Sequence, residues 1–78
     1  MAKRKAQNSG SGNKIYKMTE LVGASSESFA DASSRAIERA GKTLRNLDWF
    51  EVTELRGAIE NGRITQYQVK LKVGFRLE

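Results

Sequence analysis

From about Ile64 to Leu77 the chain alternates with a period of two. Tyr67, Val69, Leu71, Val73, Phe75 and Leu77 share one parity, and Gln66, Gln68, Lys70, Lys72 and Arg76 share the other. Successive side chains of a strand point to opposite faces, so this pattern predicts a strand with one apolar and one polar side. At roughly 3.3 Å per residue it reaches more than about 40 Å. A small domain has no room to lay such a strand flat, so it must curl around a packed element or run on into a neighbouring subunit.

The elements that precede it are also legible. Asn61-Gly62 is the strongest hairpin signal in the chain, and residues 49–60 (WFEVTELRGAIE) predict the strand on its other side. Phe50 and Val52 share one parity there, Leu55 and Ile59 the other. Such a switch predicts a bulge or sharp twist, for which Gly57 is the natural place. Further upstream, Phe29, Ala32, Ala36, Ile37, Ala40, Leu44 and Leu47 recur at spacings of three and four, which predicts a helix with one apolar stripe running to about Asn46. Ser28 with Asp31 three residues on fits a capping box, with Ser25 and Ser26 as earlier alternatives. Asp31–Arg35 and Glu38–Lys42 are acid-before-base pairs four apart. Small alanines on the buried stripe let the helix lie close to a sheet. Residues 14–22 (KIYKMTELV) predict a first strand that stops at Gly23. The order β-α-β-β gives an α+β domain, one helix on a three-stranded antiparallel sheet.

A chain of 78 residues buries only about 60% of its unfolded surface and needs reinforcement. Cysteine and histidine are both absent, which excludes disulfides, thiolate or imidazole metal sites, and catalysis built on Cys–His or Ser–His pairs. Oligomerisation is the remaining device. The net charge of +5 is unevenly spread: Lys3, Arg4 and Lys5 stand in a segment, MAKRKAQNSGSG, that has no acid and no large apolar residue. Residues 1–13 therefore read as a flexible basic tail or linker, and 14–78 as the domain. Beyond the tail, 11 basic and 9 acidic side chains nearly balance, so a nucleic-acid role is not indicated. No apolar run is long enough to span a membrane, and no apolar stretch follows the basic start as a secretory signal requires; a cytoplasmic location is the default expectation.

Catalysis finds little footing, with no phosphate-cradling glycine loop and no nucleophile beside a base. Binding fares better. Trp49, the single tryptophan, has the parity opposite to Phe50 and Val52, which points an indole away from the core and offers a flat π surface to a partner or ligand. Gln68, on the polar side of the last strand, can both donate and accept, matching the edge of a pyrimidine-like ring. Arg56 and Arg76 carry guanidinium forks suited to phosphate.

The segments YKMTELVGASSESFADA, AIERAGKTLRNLDWFEVTELRGAI and YQVKLKVGFRLE resemble the dodecin family, across about residues 14–78. The string LRNLDWFEV followed by RG, with YQVKLKVGFRL at the end, is the specific part. The resemblance implies a sheet curled around one helix and a hollow homododecamer. It implies no enzymatic turnover, and flavins held as stacked, quenched pairs between the tryptophans of two symmetry-related subunits. Trp49 matches that tryptophan, and Gln68 matches the glutamine of the YQV motif that contacts the isoalloxazine pyrimidine edge. Arg56 and Arg76 match the arginines of the RG and GFR motifs, implicated in contacts to phosphate-bearing ligands, which favours FMN over bare riboflavin, with FAD also possible in kind. Two other readings are a dodecin-type assembly holding a coenzyme A-like nucleotide and a structural shell without flavin. Sedimentation of the purified chain is expected to show a large assembly; a folded monomer at working concentration would contradict it.

Overall fold

The computed structural model describes residues 13–78. The tail reading of residues 1–13 thus lies, but for its last residue, outside the described residues. β1 runs Tyr16–Ser25, α1 Phe29–Gly41, β2 Leu47–Glu60 and β3 Arg63–Arg76. The sheet has the order β1-β3-β2, with both pairings antiparallel. The predicted β-α-β-β domain is the one that forms, and the long alternating strand takes the centre of the sheet.

One face of the sheet carries the helix. Val69, Leu71 and Val73 of β3 are buried beneath Ala32 and Ala36, with Leu21, Ile37, Leu44 and Leu47 around them. Full burial of a valine or leucine contributes about 1.5–3 kcal/mol. The alanine stripe brings the helix backbone down onto β1, and Gly23 is where it arrives. A side chain there would overlap the Ala32 carbonyl oxygen, with Ala36 Cβ only 3.0 Å away. Gly23 therefore does not end the first strand, as its residue type suggested; it stays paired, opposite Val69, and β1 continues to Ser25.

The helix is shorter than its apolar stripe. It ends at Gly41 with Lys42 as the cap, and the Thr43 and Leu44 amides close the last turn on the Ala40 carbonyl. Leu44 and Leu47 still reach the core, one from the turn and one from β2. Lys42 lies past the last helical turn, and among the described residues it forms no ion pair with Glu38. Asn46 reverses the chain with φ of 62°, a left-handed conformation that asparagine tolerates. Its carbonyl accepts from the Arg76 amide at 3.1 Å.

At the start of α1, Ser28 caps the helix by accepting from the Asp31 amide at 2.9 Å. The Asp31 carboxylate turns to Ser25 and Arg35, each donating to Oδ2 at 2.6 Å. This ties the end of β1 to the first turn of the helix.

The parity switch in β2 is real but sits elsewhere than Gly57. Val52 pairs with Leu71 and Glu54 with Lys70, so Thr53 is the extra residue. Its hydroxyl donates to the Lys70 carbonyl at 3.1 Å. One inserted residue keeps Leu55, opposite Val69, on the same face as Val52. Gly57 pairs regularly with Tyr67. At the hairpin tip Asn61 and Gly62 both have positive φ, 52° and 75°, as a type I′ turn requires.

The helix packs on β1 and β3 and leaves β2 largely uncovered. Phe50, Val52 and Leu55 stand beside the buried row of β3, yet are about half exposed. Ile59 and Ile64 near the hairpin are more so. The molecule extends 58 Å along its longest axis, against about 20 Å for a 13-residue helix.

Two tests follow. Gly23→Ala forces an overlap with backbone and is expected to destabilise by about 1–3 kcal/mol in chemical denaturation. Hydrogen bonds from Arg35 and then Ser25 hold the Asp31 carboxyl below the usual carboxylate range. A carboxyl depressed in the fold adds stability above its unfolded pKa and loses it as pH falls through the folded value. Asp31→Asn is thus expected to lower Tm at neutral pH. The gap from wild type should narrow in melts carried into acid, below the ordinary aspartate value of about 3.9.

Candidate functional site

The face of the sheet away from the helix carries all four residues singled out in the sequence. Its rows follow from the register. Tyr16 stands beside Arg76; Met18, Gly74 and Trp49 form the next row; then Glu20, Lys72 and Glu51; then Val22, Lys70 and Glu54; then Ala24, Gln68 and Arg56.

Trp49 reaches this face through a second irregularity. Leu47 pairs with Phe75 and Trp49 with Gly74, leaving Asp48 as an extra residue. In an unbroken strand Trp49 would share the face of Leu47, against the helix. The shift at Asp48 turns it outward instead. The indole is 41% exposed and lies over Gly74. Tyr16 meets it edge-on, with ring centroids 5.0 Å apart and planes at 64°.

Arg76 is on the neighbouring row, beside Tyr16 and one step from the indole. The end of β3 that carries it is anchored to the helix-to-β2 turn, where its amide donates to the Asn46 carbonyl.

Gln68 and Arg56 form a separate cluster. They are directly paired across β3 and β2, and Arg56 Nε donates to Gln68 Oε1 at 2.7 Å. Gln68 Nε2 donates in turn to Gln66 Oε1 at 2.7 Å. Arg56 Nη1 also faces Glu54 Oε1 at 3.3 Å. The Gln68 amide therefore has both a donor and an acceptor partner within the chain. All of these groups are near solvent, where such bonds exchange at small cost.

The two clusters do not meet within one chain. Gly74, beneath the indole, and Gln68 are six residues apart on β3, roughly 20 Å at the strand rise. Between them lies a charged band in which Lys70 pairs with Glu20 at 3.8 Å. An open cleft there is lined by Glu20, Thr53, Glu54, Lys70 and Lys72. Among the described residues, no group of three or more acidic side chains is gathered so as to hold a metal ion, and no helix is long and apolar enough to cross a membrane.

Tyr16, Gly74, Gln66 and Glu54 are site neighbours that sequence reasoning did not identify. Tyr16 was visible only as part of a strand, and only the pairing of β1 with β3 brings it to Trp49. Gln66 did carry a signal, being two residues before Gln68 and hence on the same face.

Three comparisons bear on this arrangement. The family profile described as Dodecin matches residues 15–78. Dodecin of Thermus thermophilus is 57% identical over 65 residues, covering 83% of this chain and 94% of that protein. Calcium dodecin of Mycobacterium tuberculosis is 31% identical over 64 residues, covering 81% and 89%. The solved structure of dodecin from Streptomyces davaonensis superposes with a TM-score of 0.81 at 50% identity, covering 85% of this chain and 97% of that one.

Proposed function

The chain belongs to the dodecin family, and we propose that it is a binding protein that stores FMN-type flavins, without turnover, between subunits of a hollow homododecamer. The observation that carries this reading is the single tryptophan, turned outward by the shift at Asp48 and laid over Gly74 with an exposed surface.

The separation of the two clusters supports a site shared between subunits. Stacking on Trp49 and hydrogen bonding to Gln68 are too far apart for one three-ring isoalloxazine to use both in a single chain. A neighbouring subunit brings the second half: one chain offers the indole, another the amide. A pair of flavins then stacks between two symmetry-related Trp49 side chains. Each stack contributes about 0.5–1.5 kcal/mol beyond area burial, and desolvation of the ring system adds to it. An electron-rich indole in face contact gives the excited flavin a fast non-radiative path, so the bound form is dark and photochemically inert. Arg56 and Arg76 serve the phosphate of the ligand.

Assembly answers the uncovered face of β2. Phe50, Val52, Leu55, Ile59 and Ile64 are too numerous and too contiguous to be ordinary surface residues on so small a chain. Closed symmetric contacts bury them and cover the strand edges at the same time.

Arginine pairs also suit a coenzyme A-like nucleotide, and the same titration separates that reading. The calcium named for the Mycobacterium tuberculosis relative is not carried over here, because Glu20, Glu51 and Glu54 alternate with Lys70 and Lys72 across the outer face.

FMN titrated with the protein should lose its fluorescence and saturate near one flavin per chain. Trp49→Ala should weaken binding by about fivefold or more and abolish most of the quenching. Arg56→Ala and Arg76→Ala should bring FMN affinity down towards that of riboflavin. Unquenched FMN in the presence of a large assembly would end the flavin reading and leave phosphate-bearing nucleotides as the ligands to try.

A further inference from the structure

The indole of Trp49 lies on Gly74 in a specific way. A Cβ at Gly74 would overlap three consecutive atoms of the six-membered ring, Cζ2, Cε2 and Cη2, the farthest of them at 2.6 Å. A point beyond the ring edge approaches one such atom closely and its neighbours much less. Near-equal closeness to all three places the point over the ring face. The indole is therefore laid flat on the β3 backbone, with one face against the strand and the other turned outward.

Gly74 is what makes this possible. Every other residue on the outer side of β3 from Gln66 to Arg76 has a long polar side chain, and any of them in this row would lift the ring off the sheet. Tyr16 provides the second constraint. Its ring meets the indole edge-on from β1, across the central strand. Floor and wall together bound the indole on two sides. Met18, which pairs with Gly74, stands on the same row.

We propose that Gly74 and Tyr16 are positioning residues that fix the Trp49 indole flat on the sheet before any ligand arrives, so that a planar ring stacks on an already ordered surface; the ligand half of this statement rests on the flavin reading above. A preset indole loses little side-chain freedom on binding, which raises affinity without any contact from Gly74 or Tyr16 to the ligand. Neither residue touches the flavin; both act through Trp49.

Because the chain has a single tryptophan, its indole can be followed alone. The experiment compares wild type, Gly74→Ala, Tyr16→Leu and Tyr16→Phe as assembled proteins, first without flavin and then in an FMN titration. The flavin-free readout is the tryptophan fine structure of the near-ultraviolet circular dichroism, together with accessibility to acrylamide. Gly74→Ala and Tyr16→Leu should lose the indole band and bind FMN about two- to fivefold more weakly, no more than Trp49→Ala does. Tyr16→Phe keeps the ring and should retain both. Unchanged indole spectra and FMN affinity in Gly74→Ala and Tyr16→Leu would overturn the proposal. If Gly74→Ala does not assemble, the two Tyr16 variants decide it alone: loss in Tyr16→Leu with retention in Tyr16→Phe supports positioning, and equal behaviour overturns it. An indole band that depends on Gly74 and Tyr16 in a protein that leaves FMN fluorescent would uphold the positioning and end the flavin reading.

Discussion

Close approach of α1 to the sheet, where Gly23 leaves room for the Ala32 carbonyl, determines how much apolar surface a single helix can cover. An alanine stripe lets the helix settle deeply over β1 and β3, and Val69, Leu71 and Val73 are fully shielded in return. The same small side chains give the helix little reach towards β2 beyond Leu47. Phe50, Val52 and Leu55 continue the apolar rows of β3 outward and stay about half exposed among the described residues. A deep but narrow core and a half-exposed β2 are thus two results of one packing choice.

Two irregularities in β2 then decide what faces where. The insertion at Thr53 keeps Leu55 on the helix side, so the apolar row runs on past the bulge. The one at Asp48 does the opposite work and sends Trp49 to the outer face. Side-chain direction in a strand has a period of two, so a single inserted residue is enough to move every later residue across the sheet. The core and the candidate site consequently depend on the same short stretch of backbone.

This explains what could be read in advance. The central strand was legible because its alternation is unbroken from Gln66 onward, and the hairpin because Asn61-Gly62 has few other uses. Ser28 was legible as a cap from its place ahead of the apolar stripe. The outward direction of Trp49 was also visible, in its parity relative to Phe50. The end of the helix was not, because Leu44 and Leu47 keep helical spacing while serving the core from a turn and a strand. Gly57 attracted the bulge on residue type alone, whereas Thr53, with a hydroxyl able to reach the Lys70 carbonyl, holds it. Tyr16 and Gly74 became neighbours of Trp49 only through long-range pairing, which no local pattern encodes. The split between the Trp49 and Gln68 clusters likewise needed the register.

The strand order has a consequence for how the chain comes into being. β3 is the last element in the sequence and the middle one in the sheet; the first residue of β1 pairs with its last. While the polypeptide is still emerging, β1, α1 and β2 have no sheet to join, since β1 and β2 never touch as neighbours. Sheet pairing has to wait for β3, and it then closes through contacts of very high sequence separation, the slow kind. Loss of β3 removes the centre of the sheet and not its rim. Until β3 has been made, the other elements of this sheet have nothing to pair with.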